Sequence, residues 1–192
     1  YKEFIKQNKN NIDLYLFVSD CLLEIGEDKE AESYLKKAFK QFPEDYRVKV
    51  ALYLLYEQTN QKNKKDKLFK NILSSLKANN SDIQSLGNEF LSKRHWAEAK
   101  SVFLKGRELI FDNTAYTWQL SNIFLQEGDY QNIAKEYLTQ LELNPKAIRQ
   151  IEVNILGIIT NNQDVSPIIE QEWESYWKKN KNNPYFAQFG IW

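Results

Sequence analysis

Methionine is missing from all 192 residues, while cysteine occurs once, histidine once, proline four times and glycine six times. Each scarcity excludes something. Without methionine, Tyr1 is not a translation start, so the chain is expected to be a piece of a longer protein. One cysteine, Cys21, rules out an internal disulfide framework, and with a single histidine beside it a zinc site lacks ligands. The rarity of glycine and proline argues against sandwiches and barrels and suits helices joined by short polar turns. No apolar run approaches the ~20 residues that cross a bilayer; the longest, Val50 to Tyr56, reads as core. No membrane insertion within this chain is therefore expected. No secretory leader pattern is visible either, which leaves the compartment open.

The charge balance is equally spare. Lys+Arg and Asp+Glu both number 26, so the formal net charge is zero, and nothing in it favours a nucleic-acid backbone or an anionic surface. The Asn- and Lys-rich composition suggests a bacterial source. Aromatic residues, by contrast, make up 14 % of the chain, a heavy load for helices.

What is present is a period. At a spacing of 34 residues, Val18, Leu52, Leu86 and Leu120 fall in one column, and Leu22, Tyr56, Phe90 and Phe124 in a second. Leu35, Phe69, Phe103 and Tyr137 form a third. Small residues recur in phase, Ala31 with Ala99 and Ala38 with Gly106, where helices must approach closely. Gly26 and Gly128 share a turn column, and Pro43 and Pro145 an exit column. Glycine there supplies the positive φ that ends a helix, and proline cannot continue one. Helical stripes run from Asp13 to Ile25 and from Glu30 to Phe42. Neither buries its apolar face alone, so stacked neighbours must complete the core.

These residues give the chain its resemblance to the tetratricopeptide repeat (TPR) family. The carriers are Gly26, Ala31, Leu35, Ala38 and Pro43, then Leu86, Gly87, Phe90, Trp96, Ala99 and Phe103. Leu120, Phe124, Gly128-Asp129-Tyr130, Tyr137 and Pro145 complete the set. The resemblance implies an all-α solenoid of antiparallel helical hairpins, a right-handed superhelix of about eleven helices. Its expected division is a half repeat at 1–11, whole repeats at 12–45, 46–79, 80–113 and 114–147, and a divergent fifth repeat with a cap at 148–192. Tyr53 departs from a small-residue position and Lys65 from an alanine position. The turn around Asn60 to Lys67 is expected to be longer or looser. In the fifth block a helix is expected over Lys146 to Ile159, and a last one near 166–180 with Ser166 as its cap and Pro167 as its first residue.

Catalytic chemistry is hard to assemble from this inventory. His95, in Lys93-Arg94-His95-Trp96, reads as a solvated turn residue with no partner to position it. Cys21 reads as a small hydrophobe on the inner side of a helix. Glu98, Glu108 and Asp112 suit surface ion pairs better than acid–base work. Lys62, Lys64, Lys65 and Lys67 read as a solvated loop, and Asn79-Asn80-Ser81 as a chance glycosylation sequon. No glycine-rich phosphate loop is present, and neither a cofactor nor enzymatic activity is expected.

The remaining surface is the one that, in proteins resembling this, holds an extended peptide across the first helices of successive blocks. By that criterion the groove residues are Asp13, Asp20, Glu24, Arg47, Gln58, Gln84, Asn88, Ser92, Trp118, Asn122, Gln126, Arg149 and Glu152. Arg47, Gln84, Asn88, Trp118, Asn122, Gln126 and Arg149 are the chief candidates. Asn88 and Asn122 share a column, and a carboxamide both donates to and accepts from a peptide backbone. Trp118, one turn before Asn122, is either a groove anchor or a packing residue. The clamp by which some TPR domains hold chaperone C-termini would fall on Gln84, Asn88, Gln119, Arg149 and Val153. Only Asn88 and Arg149 suit it, so a neutral or mixed ligand is expected. The aromatic tail, with Trp173, Trp177, Phe189 and Trp192 as its possible interface residues, is either a binding patch or a cap. The expected function is protein–protein interaction, with a protein or peptide partner and no nucleic acid. The alternative is a structural spacer in a longer array that builds a complex through its ends and convex face.

Overall fold

In the computed structural model, which describes residue 8 and residues 10–191, the chain is built of helices with no strand among the described residues. In order, they are α1 (Ile12–Glu24), α2 (Asp28–Gln41), α3 (Tyr46–Gln58), α4 (Lys62–Ser75), α5 (Asn80–Ser92) and α6 (Trp96–Ile110). Then come α7 (Thr117–Glu127), α8 (Tyr130–Leu143), α9 (Ile148–Asn161), α10 (Ser166–Lys179) and α11 (Pro184–Ile191). Short 3₁₀ turns at Pro145–Ala147 and Gln163–Val165 lead into α9 and α10. The half repeat expected at 1–11 falls almost wholly outside the described residues, as does Trp192.

Side chains at the helix starts explain why the helices begin where they do. Asn11, Asp45, Asn79 and Asp129 each turn a side-chain oxygen onto a backbone N–H of the first turn, satisfying a donor that no helical carbonyl can reach. Asn79 therefore has a structural task in its sequon. At the other ends one device recurs. Gly26, Asn60, Arg94 and Gly128 all adopt positive φ. In each case the next residue's N–H, from Glu27, Gln61, His95 or Asp129, returns to a carbonyl five residues back at 2.7–3.0 Å. These are Schellman closures. The Asn60 turn is thus as tight as the others, contrary to the looser one expected, and Lys62 to Lys67 lie inside α4, not in a loop.

The helices gather into two compact units, one ending at Val102 and the other beginning at Phe103. In the first, α1 packs on α2, α2 on α3, and α3 on α4 and α5. Its core is made by the repeating columns, with Val18, Leu22, Leu35, Leu52 and Tyr56 buried around the fully buried Ala31 and Ala38. Tyr53, where a small residue was expected, is 1 % exposed. Its ring meets Phe69, Phe90 and His95 edge-on, and its hydroxyl donates to Glu98 at 2.5 Å. The extra bulk is accommodated because Lys65, in an alanine column, sends its ammonium over the ring and on to Glu57.

In the second unit α7 pairs with α8, α8 with α9 and α10, and α11 rests on α9 and α10. Here α7 begins at Thr117, three residues later than strict phase requires. Arg107 is responsible. Its guanidinium donates to the Ala115 carbonyl, the Thr117 hydroxyl and both oxygens of Glu136. Held this way, the chain passes through positive φ at Phe111 and Tyr116 before the helix starts. The tail is packed. Trp173 stacks on Trp177 and donates to the Phe186 carbonyl, and Phe186 and Phe189 are buried. Ser166 is a helical residue, the 3₁₀ turn before it having taken over the capping position expected for it.

Candidate functional site

Helices α7 and α9 carry a polar-floored cleft of the second unit. Along α7, Trp118, Ser121, Asn122 and Leu125 recur at helical spacing and share one face; along α9, Val153, Asn154, Gly157, Ile158 and Asn161 do the same. Tyr130 and Tyr137 of α8 and Asn162 close the floor of a cleft of about 580 Å³. No lining residue carries a formal charge.

The geometry divides into walls and floor. Trp118 is 40 % exposed and its ring lies 5.7 Å from that of Tyr137, so it both packs and faces the cleft. Leu125 and Val153 are exposed apolar walls. On the floor, Asn162 donates to the Tyr130 hydroxyl at 2.9 Å, and Gln150 donates to Asn154 Oδ1 at 3.0 Å. Burial pushes the Tyr137 phenol upward from its ordinary pKa, with Ser121 and Asn154 close by its hydroxyl partly offsetting this. Ser121 is buried, yet its hydroxyl closes no hydrogen bond of normal geometry.

Of the groove residues expected from sequence, Trp118 and Asn122 line this cleft. Gln126 and Arg149 are exposed on the same two helices but outside it. Arg47 and Asn88 are exposed in the first unit and Gln84 is half-buried there. The Arg47 guanidinium is already engaged, 2.6 Å from Asp13 and 2.9 Å from Asp45. Among the possible interface residues, Phe189, on α11, is buried, and Trp173 and Trp177 are half-buried.

Several residue readings need correction. Cys21 is exposed instead of inward-facing, because the inward stripe of α1 runs through Tyr15, Val18, Ser19 and Leu22 and leaves Cys21 off its edge. His95 is not a solvated turn residue. Its side chain is 19 % exposed, with Nε2 3.3 Å from Glu57 and Nδ1 3.5 Å from Glu98. Asp112 accepts from the Thr114 hydroxyl and N–H and from the Ala115 N–H, which holds its carboxyl below the usual range. Asn154 and Gly157 were not singled out from sequence. They become visible only once α9 is known to start at Ile148, which fixes the face they occupy.

Paired helices, the turn geometry repeated at Gly26, Asn60, Arg94 and Gly128, and second helices beginning at 28, 62, 96 and 130 define the class: a repeat of helical hairpins, the architecture that the resemblance to tetratricopeptide repeats implies. No family model and no curated protein matches the chain. Among solved structures, it is similar to YrrB, described as a TPR protein with an unusual peptide-binding site. That likeness is 14 % identity over 100 % of this chain and 97 % of the other, with a TM-score of 0.42. It is also similar to the MamA protein (16 %, covering 90 % and 95 %, TM-score 0.41). PilF of Pseudomonas aeruginosa is a third (15 %, covering 94 % and 89 %, TM-score 0.40).

Proposed function

We propose that the chain is a non-catalytic interaction module that holds an extended segment of a partner protein in the cleft between α7 and α9. The observation that carries this reading is the cleft's makeup. An aromatic anchor and two exposed aliphatic walls stand over carboxamides and hydroxyls, with no charge in the lining. Apolar walls supply non-directional affinity, and a few placed polar groups fix orientation, which is how pockets of this size recognise ligands. Trp118 buries area at small conformational cost. Nothing in the lining compensates a desolvated carboxylate or ammonium, so a charged residue in the cleft would be selected against.

The test is selection from a displayed library of random peptides on the wild-type chain and on a Trp118→Ala/Asn122→Ala double variant. Clones retained by the wild type and lost by the double variant are the expected result. Recovery of the same clones on both, or of none on the wild type, would sink the reading.

A further inference from the structure

We infer that the cleft contains one side-chain pocket, over Gly157, that takes a carboxamide side chain, glutamine or asparagine, from the bound segment. This rests on the groove reading above and adds a specificity to it. Three separate features point there.

The first is Gly157 itself. It stands in the middle of α9, where glycine is the poorest helix former after proline. Nothing requires it: its φ is not positive, and a Cβ placed on it would meet no atom within 4 Å. Gly190, by comparison, is forced, because a Cβ there would fall on the Trp173 indole. Gly26 and Gly128 are favoured by their positive φ. What the missing side chain at 157 provides is open space in the cleft wall.

The second is Ser121. In the same phase of α1, Ser19 is also buried, and its hydroxyl donates to the Tyr15 carbonyl at 2.7 Å. Ser121 is 3 % exposed and makes no such bond. Its hydroxyl is left at the cleft floor, able both to donate and to accept. A buried polar group without a partner is costly, so a ligand that supplies one gains specificity from it.

The third is the neutrality of the surroundings. Asn154 has its oxygen occupied by Gln150 and sits beside the Tyr137 hydroxyl, so of its two N–H donors one remains for a ligand. A carboxamide carbonyl accepts from such an N–H while its own NH₂ donates to Ser121 Oγ. A carboxylate only accepts and an ammonium only donates, and each would lose its hydration with no counter-charge in the lining. An aliphatic side chain would fill the space but leave Ser121 unmatched.

The experiment titrates the whole chain with four blocked single residues, the N-acetyl N-methylamides of glutamine, glutamate, lysine and norleucine, followed by NMR. The glutamine fragment is expected to shift the Gly157 amide and Trp118 indole N–H saturably, with the other three at least tenfold weaker. Ser121→Ala should reduce the glutamine-over-norleucine preference to less than threefold. Gly157→Leu, whose Cβ meets no atom within 4 Å and whose side chain enters the cleft, should abolish the shifts while its melting midpoint equals or exceeds that of the wild type. Equal shifts from glutamate or lysine, no shift from glutamine, or undiminished shifts in Gly157→Leu would each overturn the pocket. If display-selected peptides lose binding in Trp118→Ala/Asn122→Ala but keep it in Gly157→Leu, the groove reading stands and the pocket alone fails.

Discussion

Four residues at the ends of first helices share one backbone task, and only two of them are suited to it. Gly26 and Gly128 adopt positive φ freely, whereas Asn60 and Arg94 hold φ of 55° and 61° with a Cβ in the way. The left-handed region costs an ordinary L-residue roughly 1–2 kcal/mol, less for asparagine. Glycine returns part of that gain through its greater freedom in the unfolded chain. Arg94→Gly should therefore stabilise by about 0.5–1 kcal/mol and Asn60→Gly by less, read as the order of their thermal midpoints. An equal or lower midpoint for Arg94→Gly would contradict the strain. Glu32 makes a different residue-scale statement. Burial works against its charge, but hydrogen bonds from Lys36, Lys64 and Gln61 prevail and bring its pKa down to about 2. A depressed carboxylate stabilises the fold above its unfolded value, near 4.5, and that contribution is lost as pH falls from there towards 2. Glu32→Gln should flatten this acid limb by on the order of 1–2 kcal/mol after allowance for solvent screening. Urea melts at pH 7 and pH 3 measure it, and a stability difference between the two pH values as large as in the wild type would refute it.

Helices are where the period was most legible and where its limits show. Starts at 12, 46 and 80, and at 28, 62, 96 and 130, follow from apolar columns that sequence displays directly, because burial at fixed phase leaves little choice. The late start of α7 does not, since it depends on Arg107 reaching Glu136, a partner distant in sequence whose bidentate pairing with it is a tertiary event. Tyr53 and Lys65 looked like two independent departures from the family pattern, yet they are one compensated exchange visible only in the packed core. The aromatics of helix α11 read from sequence as either a binding patch or a cap, because the helix's fixing contact, Gly190 against Trp173, joins residues on two elements with no periodic signal. That contact is testable. Gly190→Ala puts a methyl where the indole lies, and overpacking of this kind costs about 1–3 kcal/mol. The short helix should undock, with amide protection in Pro184–Ile191 falling towards that of free peptide while α7 and α8 keep theirs. Unchanged protection in α11 would show that the contact relaxes cheaply.

For the molecule as a whole, equal numbers of acidic and basic side chains and an uncharged cleft lining point the same way. The candidate site was half legible for this reason: Trp118 and Asn122 are aromatic and amide types that stand out on a helix face, whereas Ser121 and Gly157 are marked only by a missing bond and a missing side chain. Charge would have been the easiest signal to find, and there is none. Long-range steering raises association rates only where summed charge creates a field at the site. On the proposed reading the encounter is left to diffusion and orientation, in the range of about 10⁵–10⁷ M⁻¹s⁻¹ typical of unsteered partners. Raising ionic strength shortens the Debye length from ~10 Å at 0.1 M to ~3 Å at 1 M, which strips a steered complex of its rate advantage but has little to remove in this case. For a display-selected uncharged peptide, the association rate constant should change by less than about twofold between 0.05 M and 0.5 M salt. The dissociation rate, which the proposal assigns to Trp118 burial and hydrogen bonds on the cleft floor, should stay as flat. Stopped-flow measurement decides it: a tenfold fall in association rate over that range would mean that charges outside the cleft guide the partner, and that Arg149 or Arg47 belongs to the encounter after all.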